Sequence, residues 1–191
     1  MSEFHSCPGS RMLAFEKNAD ASAGEIAGTI QSQLAQWPVQ LHLISPTAPY
    51  YQDSDVLLTA DCVAYALGDF HREFLKDHTL AIACPKLDSN QDIYAQKITS
   101  WVDDAGINSL HVLIMQVPCC GGLLNLTRNA VENAQRKIPI KYTVVGIQGD
   151  IISRQIFGID LDPLIFHIVA SKCIDNNFGM CKITKETVHE R

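Results

Sequence analysis

Short apolar runs that alternate with helical patterns constrain the fold of this chain more than any other feature. The runs are rich in aliphatic and β-branched residues, as buried strands are, and lie at 55–61, 78–85, 109–118 and 141–150. Helical spacing fills the intervals between them, over 62–77, 89–106 and 121–136. A helix between two strands returns the chain to the same end of the sheet, so such strands pair in parallel. The sequence therefore predicts an α/β fold, with a mainly parallel sheet flanked by helices in a Rossmann-like three-layer arrangement.

The remaining elements are predicted from weaker patterns. A strand is expected over 39–45, because its residues alternate, and a helix over 22–36 that ends before Trp37-Pro38. Ser89 is the expected N-cap of the 89–106 helix, and Gly106 its expected C-terminal stop.

One domain is expected overall, in three parts. They are an N-terminal segment with a CPGS motif and one helix (1–36), an α/β core (37–150), and an irregular C-terminal extension that packs on the core, with a short helix at 163–171 (151–191).

Composition excludes several classes of protein. Hydrophobic residues make up 47% of the 191 residues, which is typical of a folded globular chain. No apolar run approaches the roughly 18 residues of a membrane span. The formal net charge is −6 and no basic run occurs, so a nucleic-acid partner is not expected. The N-terminus lacks a basic segment followed by an apolar one, which predicts a cytoplasmic protein.

The chain has seven cysteines, an odd number without an export signal, which predicts reduced thiols and favours metal binding or catalysis over disulfides. Cys62, Cys84 and the adjacent pair Cys119-Cys120 each follow a predicted strand. The carboxyl ends of parallel strands share one edge, where ligands of α/β proteins bind. Folding is therefore expected to bring four thiols together.

Four thiols at one place indicate a metal site, because soft sulfur ligands select zinc, cuprous copper or iron–sulfur clusters. Structural zinc usually takes cysteines in close pairs such as C-x2-C, and none of the four has that spacing. A cubane offers separate iron corners to neighbouring thiolates. A [4Fe-4S]-type cluster therefore fits Cys119-Cys120 better than zinc does, although another cluster type or zinc remains an alternative.

Several neighbouring residues bear on this site. Gly121 and Gly122 allow the backbone to approach the sulfurs, and the cation Lys86 follows Cys84 by two residues. Asp61 has two readings, a helix cap or an acid–base group. Cys7, in the turn sequence HSCPGSR, is a candidate metal ligand, and a reactive thiol or an incidental residue are the other readings.

Other candidate residues are assigned no chemical role. Cys173 and Cys181 are expected to be incidental. His42 and His111 alternate within apolar runs and are predicted to be packed histidines of a sheet.

Four stretches of the chain, in order, carry a resemblance to a known family. They are CPGSRM, QLAQWPVQLHLISPTAPYYQDSDVLLTADCVAYA, IACPKLD and VPCCGGLLNL, spanning about residues 5–150. In these stretches the chain resembles the C-terminal domain of prokaryotic 4Fe-4S ferredoxin-like iron–sulfur-binding oxidoreductases. The resemblance implies an iron–sulfur cofactor, and places Cys7, Cys62, Cys84, Cys119 and Cys120 in family motifs. The 191 residues contain no C-x2-C-x2-C-x3-C run, so a separate ferredoxin or redox enzyme is the expected partner.

Three functional hypotheses follow. The first is an iron–sulfur protein that acts in electron transfer or as the cluster module of an oxidoreductase. The second is a zinc-binding or structural-cluster protein without a redox role. The third is a cysteine-thiol enzyme that uses Cys7 or Cys119. The sequence alone predicts neither a substrate nor an oligomeric state.

Overall fold

The structure is a computed structural model, and it describes residues 11–15 and 31–157. The strands, in chain order, are β1 (Leu13–Ala14), β2 (Gln36–Trp37), β3 (Asp55–Ala60), β4 (Thr79–Ala83), β5 (Ser109–Met115), β6 (Ile140–Val145) and β7 (Ile151–Phe157). The α-helices are α1 (Val63–Ala66), α2 (Gln91–Asp103) and α3 (Gly121–Asn133). Short 3-10 turns occupy Pro49–Tyr51 and Pro118–Cys120, and a π-helical turn occupies His71–Leu75.

Five strands form the main sheet in the order β4-β3-β5-β6-β7. The pairs β3–β4, β3–β5 and β5–β6 are parallel, and β7 is antiparallel to β6. Right-handed crossovers place α2 and α3 on one face and the segment that contains α1 on the other. The two long helices contact each other, since the Thr99 hydroxyl donates to the Ala130 carbonyl at 3.3 Å. The predicted α/β fold with a mainly parallel sheet is confirmed.

Strand order determines where a ligand can bind. The chain leaves β3 for β4 on one side, and later leaves β5 for β6 on the other side. The connections after β3 and β5 therefore run over opposite faces, which leaves a crevice between their carboxyl ends. We use the term carboxyl edge for the four loops at that end of the sheet, residues 61–66 (counted together with the short helix α1), 84–90, 116–120 and 146–150.

The predicted strand over 39–45 is wrong. The Gln40 side chain accepts a hydrogen bond from the backbone N–H of His42, and the Gln40 carbonyl accepts from those of Leu43 and Ile44, so the segment turns. Gln40 alone pairs with the sheet, through a parallel bridge to Ile82. Lys97 of α2 holds this turn, because its ammonium donates to three backbone carbonyls at 2.7–2.9 Å. Local hydrogen bonding and a helix lysine thus override the alternating pattern.

The helix predicted over 62–77 is broken into α1 and the π-helical turn. Leu67 is extended at the end of α1, and Gly68, which lowers helix propensity, follows it. Asn90, with φ +54°, is the N-cap of α2 in place of Ser89, and no side chain caps that end. Gly106, with φ +70°, lies after the end of α2 as expected.

Other predictions lie partly or wholly outside the described residues. Of the predicted helix 22–36, only 31–36 are described, and 31–35 are not helical. The predicted helix at 163–171 is not among the described residues.

The predicted strand 141–150 ends at Val145, and the next five residues turn the chain back into β7. The Gly146 N–H donates to the Asp150 carbonyl at 2.8 Å, and Gly149 adopts φ +89°. A Cβ atom at Gly149 would lie 2.3 Å from the Ala66 carbonyl oxygen, so only glycine fits against the end of α1. Residues 151–157, expected to begin the irregular extension, form the antiparallel edge strand β7.

The core is continuous across the sheet. Trp101 and Tyr94 of α2 are fully buried, and the Trp101 ring lies 5.1 Å from that of Tyr51, between ring centroids. Every residue of β3 from Val56 to Ala60 is buried. Among the described residues, none of the helices combines the length and the apolar character needed to cross a bilayer.

His111 of β5 is a buried titratable group in this core. Its Nε2 lies 2.9 Å from the Thr143 hydroxyl, and its ring is 5.9 Å from that of Phe74. Burial, with smaller contributions from the charges of Lys141, His78 and Arg154, lowers its pKa to about 3. The prediction of a packed sheet histidine is confirmed for His111.

This histidine should make folding sensitive to mild acid. The unfolded chain gains a proton near pH 6.5 and the folded chain only near pH 3, so stability falls as pH decreases between these values. We expect the free energy of unfolding to decrease by up to about 1.4 kcal/mol per pH unit from this group. Denaturant titrations between pH 7 and pH 5 should show this slope flattened in His111→Gln and retained in His78→Gln. A wild-type slope as flat as that of His111→Gln contradicts the prediction.

Candidate functional site at the carboxyl edge

Three neighbouring loops of the carboxyl edge carry the four cysteines singled out by the sequence. Cys84 directly follows β4, Cys62 follows β3 by two residues, and Cys119 and Cys120 end the 3-10 turn after β5. Because β3 pairs with both β4 and β5, the three loops are adjacent along the edge. The structure therefore brings all four residues to the edge at which the sequence placed them.

Backbone packing joins these loops. A Cβ atom at Gly122 would lie 3.4 Å from the Cβ of Pro85, so the turn that contains Cys84 touches the start of α3. Gly122 is thus a point of close approach, as expected, whereas a Cβ atom at Gly121 would meet no neighbour within 4 Å. The contact holds the Cys84 turn next to the Cys119-Cys120 pair.

The four thiols differ in exposure. Cys62 and Cys119 are exposed, Cys84 is half-buried and Cys120 is buried. Burial is the main cause that raises the pKa of the Cys120 thiol to about 11; a backbone hydrogen bond at Met115 acts against it, and the neighbouring thiols of Cys119 and Cys62 act with it. Without a metal, Cys120 is a neutral thiol at pH 7.

Helix ends contribute partial positive charge at two of these positions. Cys120 is the N-cap of α3, which has 13 residues, and Cys62 is the N-cap of α1, which has four. The positive end of a helix favours negative charge at its N-terminus, and α3 is long enough for this effect. Burial keeps the Cys120 thiol neutral. The helix end beside it would stabilise the thiolate once an electropositive partner is bound.

A network of polar side chains anchors the Cys84 loop to α2 and to the turn at Gln40. The Asp88 carboxylate accepts hydrogen bonds from the Cys84 backbone N–H at 2.8 Å and from the Tyr94 hydroxyl at 2.6 Å. It also accepts a longer one, 3.4 Å, from the Gln40 amide. Burial acts to raise the pKa of Asp88, but these hydrogen bonds and the charge of His42 outweigh it and hold the pKa below its ordinary value. Asp88 is therefore ionised at neutral pH and links the loop to α2.

Asp61 lies beside this network and is not a side-chain cap. No side chain caps α1, whose N-cap is Cys62. The Oδ1 atom of Asp61 is buried and has no hydrogen-bond partner in the described part of the chain. Burial raises the pKa of Asp61, and the charge of Asp88 raises it further. The structure therefore excludes the helix-cap interpretation of Asp61 and leaves the acid–base interpretation. Lys86, the candidate cation, is exposed.

The residues present fit an iron–sulfur cluster in donor type, with four thiols on three adjacent loops. As the side chains stand, no three His, Cys, Asp or Glu residues within 11–15 and 31–157 converge to hold one metal ion. A cubane binds each thiolate at a different iron, so its ligands lie farther apart than those of a single ion. Cys7, Cys173 and Cys181 are outside the described residues.

Sequence reasoning missed the residues that support the Cys84 loop. Gln40 was assigned to a strand, Tyr94 fell within the predicted helix 89–106 without a role of its own, and neither position carries a motif. Asp88 follows Cys84 by four residues, and an aspartate just after a Cys-Pro turn is the one local signal that could have indicated a backbone acceptor.

The Asp88 network should stabilise the fold of the iron-free chain. We expect Asp88→Ala to lower the free energy of unfolding by about 2–3 kcal/mol, because a half-buried carboxylate loses charge-assisted hydrogen bonds and leaves their donors unpaired. Tyr94→Phe removes one of these bonds and should cost about 1 kcal/mol. The exposed Asp92→Ala is the control, with a loss below about 1 kcal/mol. Equal losses for Asp88→Ala and Asp92→Ala in chemical denaturation contradict the network.

Comparison with known proteins agrees with this architecture. Residues 48–177, about two thirds of the chain, match the family described as Rossmann-like domain, and the matched region contains all four cysteines of the carboxyl edge. An uncharacterized protein of Archaeoglobus fulgidus is 27% identical over 117 residues, which cover 61% of this chain and 81% of that protein. No solved structure matches the chain. The family match over residues 48–177, together with the parallel sheet, shows that this chain belongs to the Rossmann-like domain family.

Proposed function

We propose that this chain binds a [4Fe-4S]-type cluster at the carboxyl edge and acts in electron transfer or as the cluster module of an oxidoreductase. The proposed ligands are Cys62, Cys84, Cys119 and Cys120. The observation that carries the proposal is their arrangement, with four thiols on three adjacent loops at the crevice between β3 and β5. Ligands of open α/β sheets bind at such crevices.

The buried Cys120 thiol is better suited to bind iron than to act as a free catalytic thiol. A catalytic thiol is usually activated by a lowered pKa. The pKa of Cys120 is raised instead, to about 11, and the adjacent Cys119 contributes to this. Ligation to iron replaces the thiol proton, which turns an unfavourable buried site for a thiolate into a favourable one.

The surroundings supply further reasons. The N-terminus of α3 lies at the Cys119-Cys120 pair, and the positive end of a helix stabilises an anionic cluster. The resemblance of the four sequence stretches to 4Fe-4S oxidoreductases points to the same cofactor. The Rossmann-like family match describes the fold, and the redox role is our inference. Bound there, the cluster would supply one-electron redox chemistry, and the chain would hold it and partly exclude water.

The chain's own residues would set the properties of this site. Asp88 holds the backbone of Cys84 through its N–H, and therefore fixes the position of that ligand. Cys62 and Cys119 are exposed, so electrons could pass at the protein surface without an internal path. A separate ferredoxin or redox enzyme remains the expected partner, since one-electron chemistry requires a donor or an acceptor.

Metal analysis tests the cofactor directly. Protein purified without oxygen should be brown, with broad absorption near about 400 nm that bleaches on reduction, and should contain about four iron and four acid-labile sulfide atoms per chain. The same preparation should contain little zinc. A colourless protein with one zinc per chain contradicts the proposal and supports the structural-metal alternative. A colourless, metal-free protein with a reactive thiol of low pKa contradicts it in favour of the thiol enzyme.

Serine substitutions test the ligand set. Cys62→Ser, Cys84→Ser, Cys119→Ser and Cys120→Ser should each lower the iron content by at least about half or change the electron paramagnetic resonance spectrum. The matched controls Cys173→Ser and Cys181→Ser should retain full iron and an unchanged spectrum. Cys7→Ser determines whether that residue belongs to the set. An empty site in Cys173→Ser beside a full one in Cys62→Ser contradicts the assignment.

A further inference from the structure

The surface of the carboxyl edge is nearly free of charge. Its four loops contain 23 residues, all described, and 13 of these are exposed. Lys86 and Asp150 are the two exposed charged residues within the four loops. Their signs are opposite, so the exposed side chains of the edge carry no net charge, although the chain has a formal net charge of −6.

Large apolar side chains project from three of these loops. Tyr65 is 93% exposed, Leu87 82% and Ile147 66%. Tyr65 follows Cys62 by three residues, and Leu87 follows Cys84 by three. The loop of Ile147 touches the end of α1, because Gly149 packs against the Ala66 carbonyl. An apolar group of this kind around a site marks an interaction surface.

The opposite edge of the sheet has a different character. The loops that lead into β3, β4, β5 and β6 carry exposed charged side chains of both signs, namely Asp53, Lys76, Asp77, Asp104, Arg136 and Lys137. Such a surface is well solvated and resists burial, because charged groups lose hydration when they are covered. The contrast shows that low charge is a property of the carboxyl edge and not of loops in general.

We infer that the carboxyl edge is the contact surface of a homodimer, in which it meets the same edge of a second copy of this chain. The edge can pair with a copy of itself, as an isologous interface requires, since its two exposed charges have opposite signs and its largest exposed side chains are apolar. Twenty of its 23 residues are at least partly exposed, which reaches the lower end of the roughly 20–30 residues per partner of an interface of standard size. The dimer would cover Cys62 and Cys119 of both copies, so a separate redox partner would reach them only in the monomer. The inference rests on the described surface and does not require the cluster.

Strand order selects the symmetry axis of this dimer. Lys86 follows β4 at one end of the sheet, and Asp150 lies after β6 toward the other end. A two-fold axis normal to the sheet reverses the order of strands between the copies, so each Lys86 comes opposite Asp150 of the second copy. A two-fold axis that runs along the row of strands would instead place each Lys86 opposite Lys86 of the second copy. Charge complementarity therefore favours the first arrangement.

Sedimentation and light scattering of the full 191-residue chain test the interface. The iron-free protein should form a dimer with a Kd in roughly the micromolar range, and Ile147→Glu should be monomeric at about 100 μM. Ile156→Glu is the matched control, because Ile156 is 61% exposed and pairs near the amino end of β6. It should dimerise like the wild type. Circular dichroism of both variants verifies that they are folded.

Charge reversal tests the axis. Lys86→Glu should weaken dimerisation by about ten-fold, since two attractive contacts become repulsive, and Lys86→Glu combined with Asp150→Lys should restore it. A wild-type chain that is monomeric at about 100 μM overturns the inference, as does an effect of Ile156→Glu equal to that of Ile147→Glu. Failure of the double variant to recover overturns the proposed axis. Iron content, measured separately, reports on the cluster proposal alone.

Discussion

Parallel pairing of β3 with strands on both of its sides is the constraint on which the structure depends. Val56 pairs with Thr79 of β4 and with Leu110 of β5, so one buried strand sets the direction of both neighbours. Because all three run the same way, the loops that follow them emerge at one edge. Reversal of any of these strands would send its cysteine to the opposite edge. Strand direction therefore brings the residues of the candidate site together, and their side-chain chemistry determines what the site can bind.

The carboxyl edge combines an exposed surface that has few charges with two partly buried acidic groups. Asp61 and Asp88 interact, and their pKa values move in opposite directions, upward for Asp61 and downward for Asp88. Paired groups whose environments separate their pKa values are typical of functional sites. Asp88 is tied to Cys84 and Tyr94, whereas an oxygen of Asp61 has no partner in the described chain. This arrangement supports a functional edge, independently of which group binds there.

Patterns read from the sequence succeeded where burial alone decides local structure. The strands at 55–61, 78–85 and 109–118 and the helix at 89–106 were predicted to within a few residues, because their apolar periodicity matches the faces they bury. The pattern failed at 39–45, where Gln40 and Lys97 supply competing hydrogen bonds. It also missed β7, whose exposed Ile152 and Ile156 alternate with less exposed residues on an edge strand. Edge strands carry a weak signal because only part of their surface is buried.

By itself, the sequence determined the α/β class and the position of each cysteine relative to a strand end, since both depend on spacing along the chain. The strand order β4-β3-β5 was decided by tertiary structure, because pairing between distant strands depends on packing that local patterns do not encode. Only the tertiary structure made Cys120 a buried neutral thiol, left Cys62 and Cys119 exposed, and assembled Asp88 with Gln40 and Tyr94 across 54 residues of chain. These properties arise from burial and from contacts between separate elements, and neither exists before the chain folds.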